Sequence, residues 1–172
     1  ILSGLVGSEM CIRDRRYLRS KIPQDSNIRL LQLLWKGDTQ PADVAKAGGT
    51  LTYAQMMTPA GLKDIAAYAD GIGPELRSII PLDVNGALGT PTALVRDAHA
   101  AGLMVIPYTF RPENQFQPSN LRRGADNARN AEGSIAEMRA YLATDIDAFF
   151  TDDPALGRQA VDGTGAAGNA AN

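Results

Sequence analysis

The sequence predicts an α/β fold built on a parallel sheet, and three observations predict it. First, residues 103–108 (Leu-Met-Val-Ile-Pro-Tyr) form a run of strand length that is apolar on both faces, the pattern of a parallel strand covered by helices. Second, stretches with apolar residues spaced at three and four separate this run from other short apolar runs at 28–35, 71–74 and 146–151. The order is therefore strand, helix, strand, helix, strand, helix, strand. Third, helix-start chemistry recurs: Thr58-Pro59 and Thr90-Pro91 each put an N-cap threonine before a proline at the first helical position. Helices between strands imply right-handed crossovers. Four such strands fit either a small open sheet or half of an eight-stranded barrel, and periodicity does not choose.

Taken in order, residues 16–21 are basic, with Tyr17 and Leu18, and read as the end of a helix that Pro23 stops. The leucine-rich run 28–35 would also suit a helix, but Lys36-Gly37-Asp38 ends it abruptly, which favours a strand. Residues 37–58 read as one long connection with little periodicity, of the kind that is functional or poorly ordered. The helix after Thr58-Pro59 aligns Leu62, Ile65, Ala66 and Ala69 on one face. Asp70-Gly71-Ile72-Gly73-Pro74 reads as a very short strand and a tight turn, 76–80 as a helical turn and 81–89 as a loop. The helix 92–101 buries Leu94, Val95 and Ala98, and Gly102 supplies its left-handed stop. Residues 110–133 are rich in Arg, Asn and Pro, with one helical turn near 121–123. Ser134 and Glu137 have capping-box spacing and predict the start of a helix that buries Ile135, Met138, Tyr141 and Leu142. A last strand, 146–151, ends in Asp152-Asp153-Pro154, a short helix 155–161 closes the domain, and 162–172 reads as a disordered tail.

One domain, 16–161, is the expected organisation. A net charge of −2 offers no electrostatic basis for binding nucleic acid or an anionic membrane. No apolar run is long enough to span a bilayer. Cys11 is alone, which excludes an internal disulfide, and His99 is alone, which excludes a cluster of histidines around a metal. Residues 1–15 do not fit the rest of the chain. They lack the basic start and cleavage site of a signal peptide, and GSEMCIRDR resembles a translated sequencing adapter, so they are read as non-native, with an ordinary N-terminal helix as the alternative.

A parallel sheet brings the carboxyl ends of its strands to one face, where ligands bind. Here that face collects Trp35, Lys36 and Asp38, then Gly73, Pro74 and Glu75, then Thr109, Arg111, Glu113 and Asn114, then Thr151, Asp152 and Asp153. Guanidinium and carboxylates together suit a phosphate ester with a divalent metal, and solvated loop charges are the plainer alternative. Arg111 fits a phosphate contact or a loop ion pair. Asp152 and Asp153 fit metal ligands or a helix N-cap. Gly71 and Gly73 lack a full phosphate-loop fingerprint and read as a tight turn. His99, inside a helix, reads as structural or surface, and Tyr108 and Trp35 line either a pocket or the rim of the core.

Four ordered blocks carry a resemblance: YADGIGP at 68–74, LVRDAH with AGL at 94–103, PYTFRPEN at 107–114 and FFTDDP at 149–154. In that order and spacing they resemble the C-terminal half of glycerophosphodiester phosphodiesterases, most closely the longer bacterial periplasmic type, over residues 16–160. The resemblance implies half of a TIM (β/α)8 barrel and a parent enzyme that hydrolyses glycerophosphodiesters to an alcohol and glycerol 3-phosphate with help from Ca²⁺ or Mg²⁺. It also implies a periplasmic or secreted location. The family's paired histidines and its metal-holding carboxylates lie in blocks that this chain lacks. No catalytic residue or metal ligand is therefore expected here, and the chain is expected to be inactive. What carries over is a pocket wall for a small glycerophosphodiester: Gln32, Tyr108 and Arg111, with Thr109 and Asp70 after them. Half a barrel would also expose two sheet edges, which favours self-association. The alternative is a non-catalytic α/β module that binds a phosphorylated small molecule or a protein partner.

Overall fold

The computed structural model describes residues 11–23 and 25–165. Three parallel strands, β1 (Leu31–Leu34), β2 (Gly71–Pro74) and β3 (Met104–Val105), lie side by side in that order, with Leu31 opposite Gly71 and Gly71 opposite Met104. Helix α1 (Ile12–Lys21) precedes them. Between β1 and β2 run α2 (Ala42–Lys46), α3 (Tyr53–Met56) and α4 (Pro59–Ala66). Between β2 and β3 run α5 (Leu76–Ile79) and α6 (Leu94–Ala100), and α7 (Ala131–Leu142) and α8 (Pro154–Gly165) come after β3.

The expected strand 103–108 is regular only at Met104 and Val105, because Pro107 has no N–H to give the ladder. Its pairing continues beyond, since Ile106 N–H donates to Ile72 O and Tyr108 N–H to Pro74 O. The expected strand 146–151 is an extended segment rather than a regular strand. It nevertheless runs beside β3 through Asp147 N–H to Val105 O, Phe150 N–H to Pro107 O and Phe110 N–H to Phe150 O, each 2.9–3.0 Å.

The two faces of the sheet differ. Leu34, Ile72 and Val105 are fully buried in one core with Leu62, Ile65, Val95 and Ala98 of the helices. Leu31, Leu33 and Met104 stand on the other face and are only half-buried. A Cβ on Gly73 would lie 2.5 Å from Leu33 Cδ2, so glycine is what lets the leucines of β1 lean across β2. The face that a complete barrel would enclose is thus lined by aliphatic side chains over a backbone stripped of its own.

Several local expectations need correction. Residues 37–58 are not a featureless loop. Thr52 and Gln55 form a true capping box, with Gln55 N–H on Thr52 Oγ1 and Thr52 N–H on Gln55 Oε1, and α3 buries Tyr53 and Met56. The box expected at Ser134 does not exist. Helix α7 starts at Ala131, capped by Asn130, whose Oδ1 accepts Gly133 N–H at 3.0 Å, and Ser134 and Glu137 are buried inside the helix. Thr90-Pro91 does not start α6. Thr92 is bound to the carbonyls of Ser78 and Ile79, which delays the helix to Leu94. The closing helix runs on to Gly165, past the expected end at 161, so residues 162–165 are helical; 166–172 lie outside the described residues, as do 1–10. Residues 12–15 form the first turn of α1, and Ile12 packs in the core. Gly102 has the expected left-handed φ of 78° and ends α6.

Candidate functional site

The carboxyl ends of the strands form a groove of about 290 Å³. Most of its wall trails the strands, with Trp35 after β1, Glu75, Leu76 and Arg77 after β2, and Tyr108, Thr109 and Arg111 after β3, and Phe116 completes it from the connection beyond. Trp35 and Tyr108 stack with centroids 6.1 Å apart and planes 16° apart. The Tyr108 hydroxyl donates to Leu34 O at 3.1 Å, and burial, then the nearby Glu75 carboxylate, pushes its pKa up, so the phenol stays protonated. The Tyr108–Thr109 peptide is cis. A second recess of about 320 Å³ continues from Tyr108 and Thr109 to Phe150 and Asp152.

Arg111 is held on two sides. Its Nε donates to Asp152 Oδ2 at 2.9 Å, and its guanidinium carbon lies 4.1 Å from the centroid of the Phe116 ring. Phe116 sits in a 3₁₀ turn, Asn114–Phe116, within the connection 112–130. Three buried amides brace that connection. Asn130 Nδ2 donates to Asn114 Oδ1, Gln117 Oε1 and Leu121 O, and Gln117 Nε2 donates to Pro112 O and Asn130 O. A buried polar network with its partners supplied is rigid.

Beneath this lies a charge cluster. Arg77 Nη1 is 2.7 Å from Oε1 of Glu137, whose side chain is 2% exposed. Arg77 also donates to the Tyr141 hydroxyl and, through Nη2 at 3.2 Å, to Phe116 O. Burial raises the Glu137 carboxyl against the pull of Arg77. Burial likewise raises Glu75, opposed by the Arg77 N–H it accepts and by the charges of Arg77 and Lys36.

Of the residues predicted from sequence, Tyr108, Thr109 and Arg111 come together in the groove. Gln32 does not. It shares the helix-facing side of β1 with Leu34, is fully buried, donates to Leu33 O and accepts the Tyr68 hydroxyl at 3.3 Å. The two-residue period of a strand puts Leu31 and Leu33, not Gln32, on the open face. Asp70 does not belong either. It lies before β2, at the amino end of the sheet, where its Oδ2 accepts Leu30 N–H at 2.7 Å and pairs with Arg19 and its Oδ1 with Arg29. Burial would raise its carboxyl, but the Leu30 N–H and the two arginines outweigh that and hold it below the usual range. His99 lies at that same end, 3.0 Å from Asp147, whose Oδ2 accepts Val105 N–H. Asp153 caps α8 through Leu156 N–H, and Asp152 pairs with Arg111. Sequence reading missed Arg77, Glu137 and Phe116. The only signal for Glu137 was its spacing from Ser134, which pointed to a cap.

Among the described residues, no group of three or more His, Cys, Asp and Glu is placed to hold a metal ion. The described residues by themselves offer no such ligand set for the ion that the resemblance implies.

Parallel strands joined through helices, with arginines and aromatic rings at their carboxyl ends, make a partial β/α barrel. The chain belongs to the glycerophosphoryl diester phosphodiesterase family, whose model matches residues 5–156. It is 49% identical over 65 residues to glycerophosphodiester phosphodiesterase GDPD6 of Arabidopsis thaliana, a match covering 38% of this chain and 17% of that protein. The family fold is the TIM barrel, and the sheet seen here is part of one. Among the described residues, no helix is long and apolar enough to cross a membrane.

Proposed function

We propose that the chain forms the substrate-binding wall of a glycerophosphodiester phosphodiesterase. Its parent would hydrolyse glycerophosphodiesters to an alcohol and glycerol 3-phosphate in the periplasm or outside the cell. The observation that carries this reading is Arg111, fixed by Asp152 and Phe116 in a groove it shares with Tyr108 and Thr109. A planar guanidinium matches phosphate oxygens in pairs, and aromatic rings flank the groove that it faces.

The acid-base pair and the ligands of Ca²⁺ or Mg²⁺ are read as lying outside this chain. A positioned acid or base contributes about 10²–10⁴-fold to such a reaction. His99 is the chain's one histidine and stands at the opposite end of the sheet, so it cannot serve the groove. The chain alone should therefore bind the product phosphate without turning over substrate.

Two measurements on the recombinant chain test this. Incubation with glycerophosphocholine and Ca²⁺ should release no glycerol 3-phosphate, and titration with glycerol 3-phosphate should show binding that Arg111→Ala abolishes. Sustained turnover would refute the missing-machinery account, and unchanged affinity in R111A would refute the site.

A further inference from the structure

Resting on the reading that Arg111 meets the phosphate, we infer that Arg77 and Glu137 are positioning residues that set Arg111 through Phe116. The contacts form one continuous path from the core to the groove. Glu137, buried in α7, fixes the Arg77 guanidinium from one side at 2.7 Å. Tyr141, one turn further along α7, accepts Arg77 Nη1 and itself donates to Leu76 O, so the same helix also holds the backbone from which Arg77 springs. The other arm of the fork, Nη2, donates to Phe116 O. The Phe116 ring then lies under the Arg111 guanidinium at 4.1 Å.

The chemistry explains why a buried ion pair is kept at this place. An arginine has donors on separate nitrogens in a rigid plane, so it can hold a carboxylate and a carbonyl at once and fix the distance between them. A lysine, with one nitrogen, cannot span both. Phe116 is 41% exposed and the Arg111 and Asp152 side chains 44% and 48%. The carbonyl bond from Arg77 ties Phe116 to the charge cluster in the core, beside the buried amides of Asn114 and Gln117 that hold the rest of its turn. Stacking leaves the edge of the Arg111 guanidinium free for phosphate oxygens while its face rests on the ring. Arg77 and Glu137 are far apart in sequence, so the device joins α5, after β2, to α7, after β3, and to the groove wall between them.

The test uses the whole chain in four variants: Arg77→Lys, the double variant Arg77→Met with Glu137→Met, Phe116→Leu and Phe116→Tyr. Two readouts are taken. One is the ¹H–¹⁵N signal of Arg111 Nε, which reports the ring current of Phe116 without any ligand. The other is the affinity for glycerol 3-phosphate. R77K keeps the charge opposite Glu137, and the double variant removes both charges and strands neither. In both, the Arg111 signal should move to its F116L position, and affinity should weaken about fivefold to tenfold. F116Y, which keeps a ring, should retain the wild-type signal and affinity. A folded R77K or double variant with the wild-type Arg111 signal overturns the inference, as does a moved signal with unchanged affinity. A wild-type chain that binds no glycerol 3-phosphate sinks the substrate reading, and the Arg111 signal still decides whether Arg77 and Glu137 position that side chain.

Discussion

The two ends of the sheet carry charges of opposite use. At the amino end, Asp70 and Asp147 each accept a backbone N–H from the neighbouring strand region, Leu30 and Val105 respectively, and each also meets a cationic or titratable partner, Arg19 or His99. These carboxylates are staples, spent on the fold. At the carboxyl end, Arg111 touches one exposed carboxylate and one ring, and it keeps donors facing a groove. Charge at the amino end thus closes the structure, and Arg111 at the carboxyl end borders an open groove. That is the division expected of a β/α barrel, in which the two faces separate stability from binding.

Breaking this division should show in graded effects. The largest is at Glu137, which belongs to the core although it serves the groove. Glu137→Ala strands the mostly buried Arg77 charge and should cost about 3–5 kcal/mol, read as a fall in the denaturation midpoint. Next is Asp70→Ala, which orphans Leu30 N–H and frees two arginines. It should cost roughly 1–3 kcal/mol and leave glycerol 3-phosphate affinity unchanged. A loss of affinity in D70A would place Asp70 back in the site.

Acid should act on the same end. Asp70 and Asp147 are held below their ordinary carboxylate range in the folded chain, by the N–H bonds of Leu30 and Val105 and by Arg19 and His99, which outweigh burial. Their contribution is therefore complete above about pH 4, the unfolded value, and is lost as pH falls through the lower folded values. Urea midpoints measured between pH 6 and pH 3 should decline, and D70N with D147N should flatten that decline. The smallest effect is expected at Arg111→Lys. The exposed pair with Asp152 adds under about 1 kcal/mol, so stability should hardly move while phosphate binding weakens.

What was legible in the sequence was local or periodic. Thr58-Pro59 and Gly102 are set by neighbouring backbone alone, and both act as read. The parallel order of strands came from alternation. The errors have physical reasons. Helices α2 and α3 have five and four residues, too short for a 3.6-residue period to repeat. Gln32 came to the pocket wall from the resemblance alone, and the fold turns it toward Tyr68 on the helix-facing side of β1. Ser134 and Glu137 match a capping box at one level and are overruled by burial at another. In the site, Tyr108, Thr109 and Arg111 were legible because they trail one strand. Arg77, Phe116 and Glu137 meet only through folding, and no spacing announces contacts between residues so far apart in the chain.

The central claim is that the open charge at the carboxyl end binds the ligand and the stapled charge at the amino end does not. Parallel titration of wild-type, R111A and D70A chains with glycerol 3-phosphate tests it most directly. Binding should be lost in R111A and retained in D70A. Equal affinity in wild type and R111A, or loss in D70A while the chain remains folded, would contradict it.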